Sequence, residues 1–372
     1  MSRTSLKELA WLFLRLGLTA FGGPAAHIAM MQKEVVDNRK WMDHQHFLDL
    51  IGATNLIPGP NSTEMAIHIG HERGGWKGLI VAGCCFILPA VLITGVIAWL
   101  YQQYGQLPQV RPFIYGIKPA IIAIILAAVF PLARKALKTV ELGIMGGFAL
   151  VAAMAGLNEL VVMFGAGLML SLWYVSSRPG KGLKSWLPGL FLNIPGFSQA
   201  DLHIFLIFLK IGALLYGSGY VLFAFLDSEL VAKGMLSRTQ LLDAIAVGQF
   251  TPGPVFSSVT FIGWQMNGLP GAVSATIAVF LPSFLFVALL NPLVPMMRRS
   301  GLFSAFLDGV NIAAVAIILT VCIHFGMETI GDWRTILIAA LSLLVTFRFR
   351  KVNTVFVIAG AAILGYALLL IP

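Results

Sequence analysis

The sequence predicts an all-α polytopic membrane protein. It should consist of two repeats of inverted topology, about ten transmembrane helices and two re-entrant Pro-Gly-Pro hairpins. Three observations predict this. Of the 372 residues, 58% are hydrophobic and 11% charged, with a mean hydropathy of +0.87, whereas soluble domains carry about 25% charged residues. Ten apolar runs approach the roughly 20 residues that a spanning helix needs. The two halves of the chain also repeat one another. A soluble enzyme, a secreted disulfide scaffold and a disordered chain are excluded, as is an outer-membrane barrel, whose strands alternate in polarity.

In chain order the runs fall at about 9–31, 77–101, 113–133, 139–157 and 159–175, then 202–225, 270–291, 303–326, 334–348 and 353–371. Two more apolar stretches, about 46–70 and 240–263, are interrupted by Pro58-Gly59-Pro60 and Pro252-Gly253-Pro254. Between the halves lies a polar, basic linker holding Arg178, Lys181 and Lys184. The expected organisation is an N-terminal repeat at 1–175, a basic cytoplasmic linker at 176–200 and a C-terminal repeat at 201–372.

The repeat is read from special residues in one register. Phe13-Leu14-Arg15-Leu16-Gly17 matches Phe208-Leu209-Lys210-Ile211-Gly212, and Phe21-Gly22-Gly23-Pro24 matches Tyr216-Gly217-Ser218-Gly219. Glu34 falls on Glu229 at the same offset. After one gap Asp49 falls on Asp243, Asn55 on Gln249, Pro58-Gly59-Pro60 on Pro252-Gly253-Pro254, and Glu64 on Ser258. Duplicated halves are a transporter trait.

Loop charge selects the orientation. If each Pro-Gly-Pro stretch crosses the membrane, the Lys and Arg of the loops divide evenly, eleven to a side. If each dips in and returns, one side collects sixteen and the other six. The positive-inside rule favours the second arrangement, with a cytoplasmic linker and external termini. The net charge of +9 is then explained by loops rather than by nucleic acid.

Three cations fall inside apolar runs: Arg15, Lys118 and Lys210. Charges at membrane depth are expensive, at least about 2.5 kcal/mol on insertion scales, and mark function by default. Arg15 and Lys210 occupy equivalent repeat positions; the alternatives are snorkelling or pairing with a carboxylate. Phe21-Gly22-Gly23-Pro24 should break its helix, because Pro removes a backbone donor and Gly relaxes the chain. The residues after each Pro-Gly-Pro, Asn61, Ser62 and Thr63 or Ser257 and Ser258, can cap a returning helix whose N-terminus suits an anion. Asp49, Asp243 and Glu64 are candidates for coupling or charge pairing. The histidines and Cys84, Cys85 and Cys322 show no metal spacing, and no cleavable signal peptide is expected. No nucleotide loop or nucleophile motif appears, so neither an enzyme nor a cofactor is expected. A cation carrier should show more membrane carboxylates than cations.

Phe21-Gly22-Gly23-Pro24, Glu34, Trp41 and Pro58-Gly59-Pro60, with a weaker copy ending in Pro252-Gly253-Pro254, resemble the chromate ion transporter (CHR) family in its long, two-domain form. The resemblance covers essentially the whole chain. The second half departs from the pattern, since Tyr216-Gly217-Ser218-Gly219 lacks the proline. Membership implies a bacterial inner-membrane exporter of chromate that confers resistance, with sulfate as the similar competitor. The alternative is an importer or exchanger of sulfate or another oxyanion. The physics of a tetrahedral dianion then assigns Arg15, Lys210, Gly22, Gly23, Asn61, Thr63 and Ser257 to substrate binding. It assigns Phe21, Pro24, Gly217, Pro58, Gly59, Pro60, Pro252, Gly253 and Pro254 to structure and gating. The expected partners are the dianion, the lipid bilayer and a second copy in a homodimer.

Overall fold

Two helix bends show how the halves correspond. Gly75 has φ 60° and ψ −149°, and Gly268 has φ 56° and ψ −147°. At each the chain doubles back: a Cβ on Gly70 would lie 2.5 Å from that of Ala82, and one on Gly263 would lie 2.8 Å from that of Ala275. In a straight helix residues twelve apart are separated by about 18 Å.

The computed structural model describes residues 4–105, 107, 110–176, 199–216, 219–290, 297, 300–349 and 352–370. The linker expectation and Gly217 lie outside these residues. The first half comprises α1 (Leu6–Thr19), α2 (Gly23–Gln32, continued by a π turn Lys33–Asn38), α3 (His44–Thr54), α4 (Asn61–Tyr104, bent at Gly75), α5 (Arg111–Ala136), α6 (Val140–Met154) and α7 (Glu159–Ser176). The second repeats the order: α8 (Gln199–Leu214), α9 (Val221–Leu226, continued by a π turn Asp227–Val231), α10 (Arg238–Phe250), α11 (Ser258–Leu290, bent at Gly268), α12 (Gly301–Thr329), α13 (Trp333–Arg348) and α14 (Thr354–Leu369). No strand occurs among the described residues. Segments 61–104, 112–136, 159–176, 255–289 and 301–329 are long and apolar enough to cross a membrane.

The run at 9–31, expected from the sequence to cross as one span, does not. The break at Phe21-Gly22-Gly23-Pro24 is present, with Gly22 at φ 101° and Gly23 at φ 77°, but it reverses the chain. Arg15 pairs with Glu34 at 2.7 Å, and Arg39 reaches Glu8, so α1 and α2 lie antiparallel. The run at 202–225 folds likewise, with Lys210 on Glu229 at 2.5 Å. A turn that relaxes the backbone can straighten or reverse a helix; these ion pairs between the arms hold it reversed.

The next segment is a second hairpin. Helix α3 runs in, Pro58-Gly59-Pro60 turns, and the first arm of α4 returns, so that His46 meets Glu72 at 2.7 Å. The Thr4 N–H donates to the Arg73 carbonyl at 3.1 Å, which puts the start of α1 at this same end of the molecule. In the second half the arm before Gly268 lies along the second arm of α4 instead. Gln265 donates to the Ala98 carbonyl at 3.3 Å, and Trp264 to Gln102 at 2.8 Å. Gly75 and Gly268 therefore sit at opposite ends of that arm, and the hairpins of the two halves approach from opposite directions.

Cap geometry decides the shorter helices. Asp332 caps α13 in a reciprocal box with Thr335 and accepts from the Tyr115 hydroxyl. The Tyr115 hydrogen bond, then the Thr335 backbone, hold its carboxyl below the ordinary carboxylate range. A depressed carboxyl stabilises the fold above its unfolded value near 3.9, and that contribution is lost as pH falls through the folded value. Asp332→Ala should cost about 1–2 kcal/mol at neutral pH. Thermal melts should show the gap from wild type closing in acid, and a gap unchanged by acid would refute the assignment.

Candidate functional site

The four hairpin turns meet. The Gly59 N–H donates to the Leu215 carbonyl at 2.8 Å, and the Gly253 N–H donates to the Ala20 carbonyl at 2.9 Å. Each Pro-Gly-Pro turn thus closes on the broken first helix of the other half. Both glycines have positive φ, 138° and 94°. Their surroundings match as well: Gly59 abuts Ser283 and Glu64, while Gly253 abuts Ala90 and the Gly17 carbonyl. Gly23 lies beside the Tyr220 hydroxyl.

Every returning arm begins at this junction: α2 at Gly23, the first arm of α4 at Asn61, α9 at Val221 and α11 at Ser258. Their N-termini converge with positive partial charge; the Thr63 and Glu64 N–H groups already donate to the Pro60 carbonyl and the Ser257 N–H to that of Pro254, which leaves the first N–H groups of each arm. The capping expected of Asn61, Thr63 and Ser257 is not made. Pro60 occupies the cap of α4 with no side-chain bond, Asn61 donates to Asn55 at 2.7 Å, and Ser257 accepts from Thr94 at 3.4 Å. A proline in the cap has no side-chain acceptor, and Asn61 and Ser257 have turned to other partners.

What remains is a set of fully buried polar atoms without partners: Thr63 Oγ1, Gln249 Nε2, Ser258 Oγ, Ser283 Oγ, both Glu64 oxygens and both His68 nitrogens. Native interiors leave few such groups, and each calls for an explanation such as a bound ion or water. Thr63, Gln249, Ser258 and Ser283 can all donate. Ser283 lies against the Gly59 turn, and Ser258 lies against Gly248 beside the Gly253 turn.

The basic residues fall outside this junction. Arg15 is about half-exposed and held by Glu34, and Lys210 shares the buried Glu229 with Lys233, each at 2.5 Å. They keep their equivalent positions, one in each half, without meeting. Asp243 is buried, accepts from Tyr101 at 2.6 Å and lies 3.6 Å from Lys118. Lys118 thus has a partner that spacing alone did not reveal. Sequence reasoning also passed over His27, His68, Gln249 and Ser283. His27 bridges Ser62 at 3.2 Å and the Ala20 carbonyl at 3.1 Å. Of these, only Gln249 carried a signal, its match to Asn55.

At the Gly75 end a vestibule of about 900 Å³ opens between Glu8, Arg39, Lys40, Trp41 and Arg73. Two guanidinium groups approach the Trp41 ring, Arg39 at 5.2 Å and Arg73 at 5.3 Å from its centre. No cluster of three or more potential metal ligands occurs among the described residues.

The sequence model of the chromate transporter family matches residues 7–171 and again 202–366. A probable chromate transport protein of Synechococcus elongatus is 31% identical over 97% of this chain and 95% of its own length. A chromate transport protein of Cupriavidus metallidurans is also 31% identical, over 97% of this chain and 92% of its own. An uncharacterized transporter of Bacillus subtilis, YwrA, is 27% identical over 34% of this chain and 72% of its own. No solved structure matches.

Proposed function

The chain belongs to the chromate transporter family, and from that premise we propose that it exports chromate by alternating access between two inverted halves. The observation that carries this reading is the convergence of four helix starts on buried, unpartnered donors. Helix starts and buried hydroxyls gathered at one junction would suit a tetrahedral oxyanion, which takes donors on every side. Gly22, Gly23, Thr63, Ser258 and Ser283 would line the site, Gly59 and Gly253 would hold the two turns together, and Arg15 and Lys210 would supply charge along the route.

Charge supports the orientation. Lys7, Lys33, Arg39, Lys40, Arg73, Lys77, Arg134, Lys135 and Lys138 belong to the end marked by Gly75, and Arg111, Lys233, Arg238 and Arg334 to the other. The positive-inside rule makes the Gly75 end cytoplasmic. The start of α1 beside Arg73 then brings the N-terminus to the cytoplasmic side of an inner membrane, in place of the external N-terminus expected from the sequence. Two opposed pairs of hairpins, one entering from each face, are the inverted elements that would rock past each other.

Energetics favour export. A dianion leaving a negative interior gains roughly 4.6 kcal/mol at 100 mV. Inside-out vesicles under a clamped potential should take up labelled chromate, and excess sulfate should suppress the uptake. No uptake under a maintained potential, with folded protein present, would overturn export. Because the donors read shape and charge rather than chromium, stronger competition by sulfate would move the assignment to sulfate exchange or import.

A further inference from the structure

The two arms that return from the Pro-Gly-Pro turns share their fold but not their chemistry. Counted back from the bends, Glu64, His68, His71 and Glu72 correspond to Ser257, Phe261, Trp264 and Gln265. This register is one residue shorter than the sequence match of Glu64 with Ser258. The arm 255–266 contains no titratable side chain at all. The same bend, the same close glycine crossing and the same turn form without one, so the fold does not require the titratable residues of 61–74.

Those residues are ordered. Glu64, His68, His71 and Glu72 follow at i, i+4, i+7 and i+8, on one face of the helix. Burial falls along the row: Glu64 is 0% and His68 1% exposed, while His71 and Glu72 are half-buried near Gly75. Both Glu64 oxygens and both His68 nitrogens lack partners. A carboxylate with neither cation nor donor is expensive in such surroundings, and a carboxylic acid much less so.

The groups facing the arm are few. His27 of α2 reaches it through Ser62, and Tyr216 lies within electrostatic reach of Glu64. Helix α11 presents Ser283 and Phe284, and α1 presents Leu6 and Leu9. His46 of α3 holds Glu72, and Arg73 ends the arm on Thr4. Among the described residues no Lys or Arg forms an ion pair with Glu64.

We propose that the arm 61–74 is a proton relay, in which Glu64 binds a proton beside the anion site and His68 and His71 pass it to and from the Gly75 end. This rests on the transport reading above. An anion and an ionised Glu64 repel each other, so anion binding draws a proton onto Glu64, and the two travel in the same direction. For loading from the Gly75 end, His71 takes a proton from solvent and hands it to one His68 nitrogen; the resulting imidazolium gives up the proton from its other nitrogen, through a bridging water, to the Glu64 carboxylate, where an O–H bond forms. When the site opens to the opposite face, the Glu64 O–H bond breaks and the proton leaves to water with the anion. No electrons move.

The test uses proteoliposomes with a trapped pH dye and the potential clamped. On addition of chromate the lumen should acidify in step with uptake. In Glu64→Gln the ratio of protons to chromate should fall on the order of tenfold or more, and in His68→Phe, the residue of the matching arm, proton movement should lag uptake. Chromate uptake without acidification, acidification in Glu64→Gln equal to wild type, or alkalinisation overturns the relay; absence of chromate uptake overturns the transport reading instead. Infrared difference spectra on adding sulfate to purified protein report on the relay without transport. A protonated-carboxyl band should change in wild type and be missing in Glu64→Gln, and no change in wild type also overturns the proposal.

Discussion

Gly59→Ala should leave little folded protein in the membrane. Gly59 has φ 138°, and a Cβ there would sit 2.7 Å from Ser283 Oγ and closer still to Glu64 Oε1. The backbone conformation alone costs a residue with a Cβ about 1–2 kcal/mol. Overpacking a rigid site adds about 1–3 kcal/mol. The sum is a large share of a stability margin of about 5–15 kcal/mol. It also falls on the turn whose N–H joins the two halves through the Leu215 carbonyl. Gly253→Ala should be milder, since its nearest neighbours would be Ala90 Cβ at 3.0 Å and the Gly17 carbonyl at 3.2 Å. Gly75→Ala should be mildest, because nothing lies within 4 Å and only the left-handed backbone is strained. Melting temperatures in detergent should fall in that order. A Gly59 variant as stable as the Gly75 variant would mean that the turns do not hold the halves together.

The same glycines show what the sequence discloses. The duplication was legible because closely packed turns tolerate few residue types, so Gly17 and Gly212, Gly59 and Gly253, and the pairs around each bend recur in register. A helix break at Phe21-Gly22-Gly23-Pro24 was legible for the same reason. Its consequence was not. An arm that enters the membrane and returns has the same composition as one that crosses, and the contacts that decide between them, Arg39 with Glu8 and Thr4 with Arg73, join residues far apart in the chain. The unpartnered atoms at the junction were invisible for a further reason. Thr63, Ser258 and Ser283 are ordinary small polar residues in sequence, and they become informative only once burial without a partner is seen. The difference between the arms 61–74 and 255–266 needed the structural register of the bends, because a one-residue slip near Pro60 hides the correspondence.

The second large effect concerns the paired cations. Arg15 with Glu34, and Lys210 with Glu229, form equivalent ion pairs in the two halves. Each is open to two roles, holding the first hairpin shut or presenting charge to a passing anion, and a charge swap separates them. Arg15 is 45% exposed, so its pair is worth at most about 1 kcal/mol to the fold. A charge-assisted bond to an anion is worth about 1.5–3 kcal/mol, or roughly 10–150-fold in affinity. Arg15→Gln and Lys210→Gln should therefore each weaken chromate binding by that factor; Arg15→Gln should barely change the melting temperature, whereas Lys210→Gln leaves the buried Glu229 to Lys233 alone and should lower it further. Arg15→Glu combined with Glu34→Arg should restore the pair and leave transport lost, because the cation has moved off the α1 face. Competition binding and melts on the same preparations give both readings. If the swap restores transport, the pairs serve only to fix the arms, and the anion must be held by the helix starts and hydroxyls alone. That outcome would also explain why the two cations stand apart from the junction, each already satisfied by its own carboxylate.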